Sequence, residues 1–160
     1  MNASSLPESS LRVAKAAREC GLDARIVEMA GTTRTAEEAA RACGCEPAQI
    51  VKSLIFRGIE TGRPYLLLVS GKNRVNEAKV AHVVGEPLAR PDAAYVRDVT
   101  GFAIGGVPPL GHATTLRTFI DLDLLAFAKV WAAAGTPRCV MEVDSHALKR
   151  ATGATEIPMG

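Results

Sequence analysis

The run Tyr65-Leu66-Leu67-Leu68-Val69 is apolar at every position, and no other segment restricts the fold as much. Side chains on a strand point alternately to opposite faces, so such a strand needs cover on both sides and belongs in the middle of a sheet. Ahead of it, Ile50 to Arg57 reads as another strand carrying Lys52 among apolar neighbours, and Gly58 to Pro64 holds turn residues. Together they predict a hairpin. Hairpins on short turns argue against a doubly wound parallel sheet, in which each crossover requires a helix.

The rest of the chain supplies helices and further short strands. After a frayed lead-in over the first ten residues, Leu11, Ala14, Ala17 and Arg18 keep helical spacing until Gly21. Ala24 to Met29 predicts a short strand, and Thr35 with Glu38 forms a capping box that starts a helix running to Cys43. Pro47 opens a short helical piece, Asn76 caps a helix through Val84, and Asp92 to Val99 is helical before Gly101. Strands are expected at Thr115 to Ile120, Lys129 to Ala133 and Cys139 to Val143, the last two around a turn at Gly135 to Arg138. Ser145 to Thr152 closes with a helix, and Ala154 to Gly160 trails off. The class is α+β: one compact domain over residues 1–160, with 1–8 a flexible lead-in and a mixed, mostly antiparallel, partly barrel-like sheet surrounded by helices. At 160 residues such a domain buries roughly 70% of its unfolded surface and needs no staples.

Composition removes several classes of function. No apolar run approaches the roughly 20 residues that span a bilayer, and Met1 to Ser10 lacks the features of a signal peptide, so no membrane partner and a cytoplasmic location are expected. Cys20, Cys43, Cys45 and Cys139 read as reduced thiols. A single residue between Cys43 and Cys45 is too few for a structural zinc pair, so neither a metal nor a cofactor is expected. A net charge of +2 excludes a general nucleic-acid coat protein. Arg57, Arg63, Lys72, Arg74 and Lys79 remain available either as a local phosphate-binding patch or as a solvated face.

Two segments carry chemistry. A lysine within an apolar strand must reach water, pair with an acid or bind an anionic ligand, which leaves three roles open for Lys52. The loop Gly105-Gly106-Val107-Pro108-Pro109-Leu110-Gly111 combines permissive and rigid backbone. It can aim bare amides at an oxyanion, or it can be a tight structural turn. Of the histidines, His82 and His146 fall in helical segments, whereas His112 follows the loop and is the one placed to act as a base or ligand contact. Neither a Gly-x-Ser-x-Gly elbow nor a His-Glu-x-x-His zinc helix is present.

The segments Gln49-Ile50-Val51-Lys52-Ser53-Leu54-Ile55-Phe56 and Gly105 to His112 occur in this order, accompanied by Gly71-Lys72-Asn73-Arg74-Val75, Asp121, Trp131 and Gly135. With them the chain resembles the YbaK and prolyl-tRNA synthetase-associated family from about Thr35 to Gly153. The resemblance implies a deacylase that cleaves a wrong amino acid from tRNA, with proline tRNA carrying cysteine or alanine as the expected substrate. It makes Lys52 the essential lysine, anchoring the terminal adenosine or its phosphate. It places Gly-x-x-x-Pro on Gly105 and Pro109, so that Gly106, Val107 and Pro108 line the aminoacyl pocket and the amides of Gly105 and Gly106 hold the ester carbonyl. Ser53, Asp121 and His112 follow as substrate contacts. Water, a ribose hydroxyl or a substrate thiol attacks. The implied partners are the acceptor end of aminoacyl-tRNA and, for delivery, a prolyl-tRNA synthetase or an elongation factor. A non-catalytic tRNA- or synthetase-binding module and a hydrolase of another small ester are the competing functions.

Overall fold

The computed structural model describes residues 6–160, and at its centre the all-apolar run forms β3 (Pro64–Ser70), in which Leu66, Leu67, Leu68 and Val69 have no exposed surface. It pairs antiparallel with β2 (Ile50–Gly58) over the expected hairpin, from Val51 opposite Ser70 to Arg57 opposite Pro64. The remaining strands are β1 (Arg25–Glu28), β4 (Leu88–Ala89), β5 (Arg117–Asp121), β6 (Lys129–Ala133), β7 (Cys139–Asp144) and β8 (Thr155–Ile157). All belong to one sheet in the order β1-β7-β6-β2-β3-β5-β8, with β4 attached to β2. The β1–β7, β6–β7, β2–β3 and β2–β4 ladders are antiparallel, while β2–β6, β3–β5 and β5–β8 are parallel. The mixed, mostly antiparallel α+β architecture is the one the sequence predicts.

Helices α1 (Glu8–Glu19), α2 (Ala36–Cys43), α3 (Glu77–Val84), α4 (Ala93–Thr100) and α5 (Ser145–Thr152) cover the sheet. Their starts follow from the side chains that precede them. Thr35 and Glu38 close the reciprocal capping box, and Asn76, Asp92 and Asp144 each accept an N–H from the first turn of α3, α4 and α5. Opposite residues of an antiparallel ladder share a face, which sorts β2 into two sets. Leu54 and Phe56 pack with Tyr65, Leu67, Phe119 and Val80 of α3. Val51 and Ile55 pack on the other side with Leu66, Leu68, Ile120 and residues of α1, α4 and α5.

Three local expectations change. Helix α1 begins at Glu8 behind Pro7, so the lead-in does not extend to residue ten; its part over residues 1–5 lies outside the described residues. Pro7 stands at the N-cap just before the helix, and burial of Ser10, Val13 and Ala17 on one helix face outweighs the polar composition around it. Strand β5 begins at Arg117 and runs through Asp121, because the segment before it is held as a turn by Ala113 and Thr114 N–H bonds to Thr100 and Val99 carbonyls. The C-terminal residues do not trail off: β8 pairs parallel with β5, and Met159 beyond it is fully buried. A three-residue strand with one apolar position has no period to read, and its partner lies far away in sequence.

Candidate active site

Strand β2 holds β6 through only Ile50–Trp131 and Val51–Ala132, and β4 through only Arg57–Ala89 and Gly58–Leu88. Between these ladders one edge of β2 has no strand beside it. Its polarity follows from hydrogen bonds at either end. Gly58 donates to Arg63 O (2.9 Å) and Gly71 donates to Ile50 O (2.8 Å), so even-numbered residues of β2 turn their main-chain groups to β3. Odd-numbered residues turn the other way, as Ile59 shows by donating to Pro87 O (2.9 Å). The main-chain N–H and C=O of Ser53 and Ile55 therefore open onto the gap.

That gap is a cavity of about 630 Å³. Its apolar walls include Trp131, Val96 and Val140, and its cations are Arg34, Lys52 and Arg90. Among the described residues, no carboxylate, histidine or cysteine lines it. Ser53 also lines it, and the Ser53 hydroxyl is buried without a hydrogen-bond partner, an arrangement that costs stability unless a ligand or water completes it. Lys52 is half-buried, and its ammonium donates to the main-chain carbonyl of Asn73. Burial pulls the lysine below its ordinary pKa; Glu37 and Asp121 oppose that shift, and Arg74 and Arg90 add to it. No carboxylate forms an ion pair with it among the described residues. Its charge is thus held but not neutralised.

The glycine-rich loop meets the cavity with one end. Gly105 and Val107 line it, and Gly105 adopts φ +97°, a left-handed conformation that favours glycine. Gly106 lies outside the cavity lining and both its main-chain groups are engaged: its N–H donates to Ala103 O (3.0 Å) and its carbonyl accepts from Gly135 (3.0 Å), so its amide is already committed within the loop. A Cβ there would stand 2.8 Å from the Thr136 backbone, which explains the glycine as a close approach to the β6–β7 turn. Pro108 and Pro109 are buried away from the cavity lining and brace the loop instead. The amide of Gly105 has no protein acceptor among the described residues.

His112 and Asp121 also lie outside the cavity lining. His112 donates from Nε2 to Pro108 O (2.7 Å), pinning the loop, and burial lowers its pKa against the opposing pull of that carbonyl. Asp121 is 1% exposed, and its carboxylate is engaged by Ser70, Asn73 and the amide of Asp123. Burial pushes the Cys43 thiol up to about 12, with Cys45 and Glu142 adding to the effect, so Cys43 is a poor nucleophile. In the suggested basic patch Lys72 is paired with Asp123 at 3.6 Å, while Arg57 lies over the Tyr95 ring at 5.8 Å. Arg34, Arg90 and the 60%-exposed Ile104 are among the site residues that sequence reasoning missed. None belongs to an unusual local pattern; the fold alone brings them to the cavity.

A model of the aminoacyl-tRNA editing domain family matches residues 30–151. The uncharacterized protein YwhH of Bacillus subtilis is 30% identical over 123 residues, covering 77% of this chain and 78% of YwhH. The proline-tRNA ligase of Desulforamulus reducens is 35% identical over 95 residues, covering 58% of this chain but only 16% of the ligase. A crystal structure provisionally described as a trans-editing enzyme for prolyl tRNA synthetase superimposes with a TM-score of 0.90 at 47% identity, over 97% of this chain and 98% of that one.

Proposed function

Because this chain belongs to the aminoacyl-tRNA editing domain family, we propose that it hydrolyses the ester of mischarged aminoacyl-tRNA in trans, with proline tRNA carrying alanine or cysteine as substrate. The observation that carries the reading is Lys52, which lines the cavity and whose ammonium is bonded to a neutral carbonyl rather than a carboxylate, leaving its charge for an anionic group. Gly105, whose amide has no protein acceptor among the described residues, lines the same cavity.

These groups suit an activated ester, which needs placement and oxyanion stabilisation more than a strong nucleophile. Lys52 anchors the terminal adenosine or its phosphate. Water adds to the ester carbonyl carbon, the Gly105 amide donates to the resulting oxyanion, and the carbon–oxygen bond to ribose then breaks. The departing ribose oxygen takes a proton, and the amino acid leaves as a carboxylate. Since no carboxylate or histidine among the described residues lines the cavity to act as a base, the substrate's neighbouring ribose hydroxyl directs the water. Ser53 Oγ, buried and without a protein partner, contacts the aminoacyl group. The relationship to proline-tRNA ligases supports a prolyl-tRNA synthetase as partner for delivery.

The test is release of labelled amino acid from a panel of mischarged tRNAs, with wild type beside Lys52→Ala. Loss of one oxyanion- or substrate-stabilising group predicts a fall in kcat/KM of about 100-fold or more with the fold intact. Undiminished release by a folded Lys52→Ala would remove the lysine from the mechanism. Tight tRNA binding without any release would identify a binding module, and equally fast cleavage of free aminoacyl esters a small-ester hydrolase.

A further inference from the structure

Lys52 reaches its carbonyl partner through a loop that is tied down from behind. We propose that Asn73 and Asp121 are positioning residues for Lys52: Asp121 fixes the Asn73 side chain, and the Asn73 main-chain carbonyl fixes the lysine ammonium. This deepens the function proposed above and rests on Lys52 being the group that meets the substrate.

Asp121 sits at the end of β5 and is 1% exposed, yet it makes no ion pair among the described residues. Its Oδ2 accepts the Ser70 N–H at 3.1 Å and Asn73 Nδ2 at 2.8 Å, and its Oδ1 accepts the Asp123 N–H at 3.1 Å. Asn73 Nδ2 also donates to Asp123 Oδ2 at 2.8 Å, and the Asn73 N–H donates to Ser70 O at 2.9 Å. The turn after β3 is therefore held at its main chain and its side chain, and the one group it presents to Lys52 is a carbonyl. A buried carboxylate that accepts three N–H donors has been engaged to shape backbone, not to touch a ligand.

The relay solves a conflict. A lysine on a flexible four-carbon stem needs a fixed partner to stand in one place, since ordering its rotamers otherwise costs entropy. A carboxylate in direct contact would fix it but would also neutralise the charge that a phosphate or oxyanion requires. With Asn73 between them, Asp121 supplies rigidity and a distant negative charge, while the atom touching the ammonium is neutral. Glu37, Arg74 and Arg90 are the other charged groups acting on Lys52, and they come from separate elements.

The experiment titrates the Lys52 side chain by NMR in protein labelled at lysine Cε, with Lys52→Arg for assignment, and compares kcat/KM on alanyl-tRNA for proline across four proteins. These are wild type, Asn73→Ala, Asp121→Asn and the double variant. Asn73→Ala is expected to lower the Lys52 pKa, because the main-chain carbonyl that accepts from the ammonium is no longer held by the side-chain bonds to Asp121 and Asp123, and so to move the alkaline limb of the rate profile to lower pH. Asp121→Asn puts an amide donor against at least one of the three N–H groups that the carboxylate accepts and should act likewise. Each variant should lose about tenfold in kcat/KM, and the double no more than either, because both break one relay. An unchanged Lys52 titration in folded Asn73→Ala, or a multiplied loss near 100-fold in the double, would overturn the proposal. If Asp121→Asn does not fold, the Asn73→Ala titration decides alone. A shifted titration combined with full activity of Lys52→Ala would instead retire the lysine mechanism and leave the relay standing.

Discussion

His112 shows how one side chain can serve the site from outside it. Its Nε2–H is committed to Pro108 O, so the neutral ring braces the loop that carries Gly105. Burial lowers the pKa of His112 in the folded chain, so the unfolded state binds the extra proton first as pH falls. Stability contributed by the neutral ring is therefore complete above about pH 6.5 and is lost as pH falls through the lower, folded value. His112→Gln should keep more of its neutral-pH thermal midpoint than wild type does when both are scanned at about pH 7 and about pH 5. A parallel decline in the two proteins would assign the acid sensitivity to other groups. Sequence alone marked Lys52 and Gly105, because a charge in an apolar strand and a glycine in a proline-rich loop are locally odd. It did not reveal that the Gly106 N–H is bonded to Ala103 O and the His112 ring to Pro108 O, since only the folded backbone shows where those hydrogen bonds go.

Elements with local signals were the readable ones: the β2–β3 hairpin from its apolar runs, α2 from its capping box, and α3 and α4 from their caps and terminal glycines. The two-residue β4 has no such signal, and it brings Arg90 to the cavity. The hairpin turn is secured from the residues just before β4. Glu86, 7% exposed, accepts N–H bonds from Glu60 and Thr61, both at 3.0 Å, and hydroxyls from Thr61 at 2.7 Å and Tyr65 at 2.6 Å. These donors, the Tyr65 hydroxyl foremost, hold its pKa down to about 2 from 4.5. The stability it contributes is thus present above 4.5 and disappears as pH falls toward about 2. In Glu86→Ala, amide exchange at Glu60 and Thr61 should accelerate by about tenfold or more at neutral pH, reporting a locally opened turn. Unchanged protection there would show that the ladder alone maintains the turn.

Across the whole molecule, the two ends of the described chain lie against the body of the sheet. Met159 is fully buried with Phe56, Tyr65, Phe119 and Val80, joining the C-terminus to the face of the hairpin opposite α1. Met159→Ala should cost about 2–5 kcal/mol in urea denaturation, the range for a core methionine truncated to a methyl group. A loss near zero would mean that residues beyond β8 add no packing. Sequence periodicity could not reveal this closure, because it joins short segments across long distances.

The uncovered edge of β2 carries a further consequence, one of hydration. Ser53 and Ile55 turn main-chain donors and acceptors into an otherwise largely apolar chamber, and such groups must be hydrogen-bonded. In solution the resting chamber is therefore wet along one wall and drier along the other. A molecule that enters must exchange water for polar contacts on the β2 side while filling space beside Trp131. Discrimination then depends on more than bulk: an occupant small enough to fit but unable to replace the displaced water leaves the wall unsatisfied and binds weakly.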